Sequence, residues 1–132
     1  MKIGHVGISV SNLKRSIVFY EKNFGLSCVE KYDFKDKGMK IAILERGDLV
    51  LELFEFKEHK PLPKYREKLD SDLTTLGVKH FSVEVKDIND AFNRFKKSRV
   101  LFETDLRVFD NGAHYFFIKD PDGILIEIME EI

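Results

Sequence analysis

The stretch Gly4-His-Val-Gly-Ile-Ser-Val10 returns seventy-five residues later as Lys79-His-Phe-Ser-Val-Glu-Val85. The same offset lays Leu13, Ser16, Ile17 and Tyr20 on Ile88, Ala91, Phe92 and Phe95. It also lays Asp48-Leu-Val-Leu-Glu-Leu-Phe54 on Gly123-Ile-Leu-Ile-Glu-Ile-Met129. One register aligns apolar, polar and turn positions together, which marks two copies of one structural unit.

Each copy reads as strand, helix and three strands. Residues 2–10 alternate apolar with small or polar residues, the period of a strand. Ser11 or Asn12 then supplies an N-cap, Leu13, Ile17 and Tyr20 recur at helical spacing to about Phe24, and Gly25 stops the helix. Residues 26–34, 39–46 and 48–56 read as strands, with Arg46-Gly-Asp48 turning the last pair. The second copy repeats the pattern: strand 78–85, a helix from Asp87 to about Ser98, and strands near 100–107, 113–119 and 123–130. Asp120-Pro-Asp-Gly123 is a strong turn, since Pro presets one dihedral and Gly supplies positive φ. The fold class is therefore α+β, two βαβββ repeats in a single domain over 1–132. Unit one covers about 1–56, a charged linker about 57–77, and unit two about 78–132. The linker holds Pro61 and Pro63, with a short helix expected from Lys64 to Leu69.

Size and composition narrow the function. A chain of 132 residues, 43% hydrophobic and 34% charged, is long enough to bury a core. A net charge of −1, with basic and acidic residues interleaved, argues against nucleic acid and anionic membranes as partners. No segment has the roughly 20 apolar residues that cross a bilayer, and the N-terminus does not read as a signal peptide. Cys28 is the one cysteine, so no internal disulfide forms and a reducing, cytoplasmic setting is expected.

The repeat carries polar residues that a core does not need. Along the first strand Val6, Ile8 and Val10 share one face and His5, Gly7 and Ser9 the other; Phe81, Val83 and Val85 likewise oppose His80, Ser82 and Glu84. The wholly apolar face should pack on the helices, which leaves His5 and His80 on the opposite, concave one. Glu52 lies between Leu51 and Leu53, and Glu127 between Ile126 and Ile128, so both carboxylates share the histidines' parity. Glu127 has Leu125 and Met129 as same-face neighbours, and a carboxylate is costly to bury there unless paired or metal-bound. Two imidazoles and two carboxylates suit one divalent ion. Such an ion is a Lewis acid beside a basic carboxylate, the pair needed to move a proton next to a carbonyl.

Other residues read more plainly. His59 belongs to a solvated linker, and Lys57-Glu-His-Lys60 is a solvated loop. His114 opens a strand and falls on Met39 in the repeat, not on a ligand. Cys28 has no partner base, and His114-Tyr-Phe-Phe-Ile118 is a core strand rather than a stacking platform. Arg107 and Lys119 read equally as surface charges or as anion-binding groups.

Taken together, His5-Val-Gly-Ile-Ser-Val10, Leu13-Lys-Arg-Ser-Ile-Val-Phe-Tyr20, Phe24-Gly-Leu26, Leu51-Glu-Leu53, Lys79-His-Phe-Ser-Val-Glu-Val85 and Asp120-Pro-Asp-Gly-Ile-Leu-Ile-Glu-Ile128 resemble the vicinal oxygen chelate superfamily, and within it the glyoxalase I-like proteins. The resemblance covers nearly the whole chain. It implies sheets cupped around a metal, with His5, Glu52, His80 and Glu127 in the four ligand places and nickel, cobalt or zinc as the ion. It also implies a homodimer and a small-molecule substrate. By the same resemblance, a glutamate shuttles a proton between carbons through an enediolate held on the ion, with Glu127 as the base and Glu52 as its mirror partner.

The quartet also sorts within the superfamily. Extradiol dioxygenases and fosfomycin-resistance enzymes use two His and one Glu, and methylmalonyl-CoA epimerase usually has Gln where Glu52 stands. Ser9 replaces an Arg with which glyoxalases grip glutathione, and Phe54-Glu-Phe56 lacks an Asn of that family, which puts glutathione as cosubstrate in question. The leading expectation is a metal-dependent glyoxalase I-like lyase or isomerase. The alternatives are an acyl-CoA epimerase or a non-catalytic binding module of the same fold.

Overall fold

Asn12 and Gly25 bracket the first helix as their chemistry requires. In the computed structural model, which describes residues 1–132, α1 spans Leu13–Phe24. The Asn12 side chain accepts the Arg15 N–H at 2.9 Å, satisfying a donor the first turn would leave open. Gly25 takes φ +66, and a Cβ there would come within 2.7 Å of the Arg46 guanidinium. Arg46 donates to the Phe24 carbonyl at 2.8 Å, closing the helix from outside. Asn12→Ala should cost about 1 kcal/mol, read as a lower urea midpoint with unchanged slope.

The chain gathers into two compact units, Met1–Pro61 and Leu62–Ile132. In the first, β1 (Val6–Ser9), β2 (Ser27–Phe34), β3 (Met39–Arg46) and β4 (Leu49–Phe56) form a sheet in the order β1-β4-β3-β2. β1 runs parallel to β4 and the other pairs are antiparallel. Helix α1 lies on β3 and β4, and Ile17, Tyr20, Leu44, Leu51 and Leu53 are buried in this unit's core.

The second unit contains α2 (Leu69–Leu73), β5 (Phe81–Val85), α3 (Ile88–Lys97), β6 (Leu101–Phe102), β7 (Arg107–Val108), β8 (His114–Lys119) and β9 (Leu125–Glu130). Its sheet runs β5-β9-β8-β6, with β7 also on β8 and β5 parallel to β9. Asp87 caps α3 by accepting the Asp90 N–H at 2.8 Å. Ile88, Phe95, Phe116, Ile126 and Ile128 are nearly sealed from water. The Asp120–Gly123 turn forms as expected: Asp120 Oδ1 accepts the N–H groups of Asp122 and Ile124, each at 2.9 Å, and Gly123 has φ +88.

Three boundaries differ from expectation. The strands at 2–10 and 78–85 begin only at Val6 and Phe81, so both histidines stand just ahead of the ladder. The strand expected near 100–107 is split into β6 and β7, because the Phe117 carbonyl accepts from both Glu103 and Thr104 while the Phe117 N–H turns to Thr104 Oγ1 at 3.0 Å. That bulge sends the Glu103 side chain elsewhere. The linker helix begins at Leu69, following a 3-10 turn at Lys64–Arg66.

Glu103 ties that helix down. Its carboxylate accepts the Leu69 N–H at 2.9 Å and pairs with Lys119 Nζ at 2.9 Å. Burial pushes the Glu103 carboxyl up, but the Leu69 hydrogen bond and the Lys119 and Lys68 charges together outweigh it, leaving the group below its ordinary 4.5. A carboxyl depressed by folding contributes stability that is present above the unfolded value and lost as pH falls through the folded one. Urea denaturation of wild type and Glu103→Gln should therefore differ at pH 7 and converge as pH drops below about 4.5. A gap that persists unchanged to pH 3 would refute this assignment.

Candidate metal centre

In the first unit β1 and β4 pair so that Gly7 faces Glu52. His5 lies two residues before Gly7 and therefore takes the same side. His5 Nε2 and Glu52 Oε2 are 3.0 Å apart. Gly7 matters here, since a Cβ at that position would press on the Phe54 ring at 3.3 Å. The register puts Ile41, Ile43, Val50, Phe54 and Tyr32 on this face, and none of its strand residues is Lys or Arg. Tyr32 donates to Glu30 at the sheet's edge, and that bond holds the phenol above its usual range.

The second unit repeats the pair. Ser82 faces Glu127 across β5 and β9, and Phe117 faces it from β8. His80 Nε2 stands 3.3 Å from Glu127 Oε2. This pair is the more enclosed: Glu127 is 9% exposed, whereas the His5 side chain is 55% exposed. The Phe117 ring meets the His80 ring edge to face at 4.8 Å. His80 Nδ1 is buried and has no protein hydrogen-bond partner.

The structure thus brings His5 to Glu52 and His80 to Glu127. It forms no group of three or more His, Cys, Asp or Glu side chains able to hold an ion. Each pair nonetheless fits a share of a coordination sphere. Two ligands about 2.1 Å from one ion stand roughly 3.0 Å apart at a right angle and roughly 3.4 Å apart at a tetrahedral one. Nitrogen and carboxylate donors in equal number suit a borderline divalent ion.

The remaining candidates lie outside these two pairs. His114 Nδ1 pairs with Glu130 at 2.9 Å on the face opposite Glu127, and His114 holds the Glu130 carboxyl below its usual range. Sequence reading missed this partner because sixteen residues and a turn separate the two. Lys119 is held by Glu103 and by the Glu67 carbonyl at 2.6 Å, while Arg107 is exposed. The Cys28 thiol is pushed up by burial, away from the reactive thiolate form. His59 and its charged neighbours are exposed, and Phe116 and Phe117 are core. No helix is long and apolar enough to cross a membrane.

Two sheets of repeated βαβββ topology, each with a His–Glu pair on the face opposite its longer helix (α1 or α3), define a vicinal oxygen chelate architecture. The chain belongs to the Glyoxalase/Bleomycin resistance protein/Dioxygenase superfamily, whose model matches residues 2–128, and to its glyoxalase I-like members. It is 26% identical to lactoylglutathione lyase of Neisseria meningitidis over 99% of this chain and 91% of that protein. It is 24% identical to human mitochondrial methylmalonyl-CoA epimerase over 96% of this chain and 72% of that one. A glyoxalase family protein from Enterococcus faecalis superposes with a TM-score of 0.83 at 26% identity, covering 98% of this chain and 97% of the other.

Proposed function

We propose that the chain is a metal-dependent, glyoxalase I-like lyase or isomerase that moves a proton between carbons next to a carbonyl. The observation that supports this reading is the recurrence of one His–Glu pair at equivalent positions of both units. His5, Glu52, His80 and Glu127 would together hold one divalent ion, with nickel, cobalt or zinc matching the donor set. When bound, the ion supplies Lewis acidity to a substrate oxygen. Glu127 is the base: Leu125 and Phe117 crowd water away from its carboxylate, which favours proton transfer over solvation. Glu52, more open to water, takes the mirror role.

The unit-one face has no cation among its strand residues to grip the carboxylates of glutathione. In unit two the register places the exposed Arg107 on the Glu127 face. The substrate proposed is a small α-hydroxy carbonyl compound or its thiol adduct, with glutathione not required. The free thiol of Cys28 supports a cytoplasmic setting, and a homodimer is the proposed assembly.

A second reading, an acyl-CoA epimerase, draws on the likeness to methylmalonyl-CoA epimerase. Glu52→Gln separates the two, since an epimerase should keep turnover with Gln at this position and a glyoxalase-like enzyme should lose it. The first measurement is elemental analysis after stripping and reloading with nickel, cobalt and zinc. About one ion per chain is expected in wild type, lost in both His80→Ala and Glu127→Ala. A wild type that takes up no ion under any loading would leave only a binding module.

A further inference from the structure

Asp72 is a charged side chain with 1% exposure, placed on the linker helix α2 and facing two cations. Its Oδ1 lies 3.3 Å from Lys79 Nζ and 3.4 Å from Arg66 Nε. Its Oδ2 is buried without a protein partner. A buried carboxylate is costly unless paired, and breaking such a pair leaves an uncompensated buried charge, so Asp72 holds Arg66 and Lys79 in place.

Those partners converge on the peptide before His80. Lys79 Nζ also donates to the Asp72 carbonyl at 2.8 Å and to the Thr75 carbonyl, so the Lys79 side chain is fastened to the end of α2. Arg66 donates to the Lys79 carbonyl at 3.1 Å and lies 3.5 Å from the Val78 carbonyl. Residue 79 is thus held by its side chain and by its backbone oxygen at once.

His80 needs such support for two reasons. It precedes β5, so no strand ladder fixes its backbone. Its Nδ1 has no hydrogen bond, although a histidine that binds a metal is ordinarily oriented by one from its second nitrogen. The repeat makes the contrast plain: Gly4 stands where Lys79 does, and nothing lies within 4 Å of a Cβ built there. The enclosed histidine has a brace and the exposed one has none.

We propose that Asp72, with Arg66 and Lys79, forms a brace that positions His80 through its backbone, making Asp72, Arg66 and Lys79 positioning residues of the metal site; this rests on the metal-site reading above. Hydrogen exchange on the metal-free full chain reads the brace directly. Lys79→Met should speed exchange at the amides of β5 (Phe81–Val85), the strand that His80 leads into, at least tenfold while the β8 amides keep wild-type protection, and Lys79→Arg should restore it. Cobalt titration by visible absorption reads the consequence. Affinity should fall about 10- to 100-fold in Lys79→Met, with an altered ligand-field band, and recover in Lys79→Arg.

Arg66→Met, at a residue 30% exposed, repeats both readouts should Lys79→Met fail to fold. Wild-type exchange and wild-type cobalt affinity in the folded variants would overturn the proposal. If the wild type itself binds no cobalt, the metal-site reading falls, and the exchange data still decide whether the brace holds His80.

Discussion

Glu127→Gln should lower turnover by about 10²- to 10⁴-fold, the usual contribution of a positioned general base. Gln keeps the size of the side chain and its acceptor oxygen, so Leu125, Phe117 and His80 retain a neighbour of the same shape. What is lost is the carboxylate proposed above as the proton acceptor. The loss should appear in kcat, with the fold intact by circular dichroism, because Gln fills the same volume between Ile126 and Ile128. Assays on hemithioacetals and on acyl-CoA thioesters, run with the metal content of each sample measured, check this. A variant that keeps its metal and turns over at the wild-type rate would remove Glu127 from the mechanism and move the base to Glu52.

Phe116→Ala should destabilise the protein by about 3–5 kcal/mol, a large part of the 5–15 kcal/mol that holds a typical domain together. Phe116 is 0% exposed and touches three other rings, with centroids 5.2 Å from Phe92, 6.0 Å from Phe95 and 5.5 Å from Phe102. Removing it opens a void that α3 and β6 cannot both move to fill, since α3 is capped by Asp87 and β6 is paired to β8. A calorimetric melting temperature more than about 10 °C below wild type is expected. A shift within about 2 °C would mean that the aromatic layer repacks, contrary to the dense packing of interiors.

Much of the fold was legible because its signals are local. Asn12 and Gly25 bound α1, Asp87 caps α3, and Asp120 with Gly123 builds the turn before β9, each through contacts within a few residues. The repeat added a long-range reading, since one register placed His5 with Glu52 and His80 with Glu127 on matching strand faces. Strand parity needs only the alternation of side chains, and the apolar flanks of both glutamates supply it.

What the sequence by itself determined was the two-unit α+β architecture, the faces of its strands and the residues that could share a site. The tertiary structure decided which partners occupy the charged groups. It placed Asp72 between Arg66 and Lys79, Glu103 between Leu69 and Lys119, and Glu130 against His114. It also left His80 Nδ1 unpaired and broke the strand expected near 100–107 at Glu103 and Thr104. The physical reason is the same in each case. Burial follows from patterns that repeat along the chain, whereas an ion pair forms between groups whose separation in sequence carries no periodic signal and whose worth depends on how much water the fold removes around them.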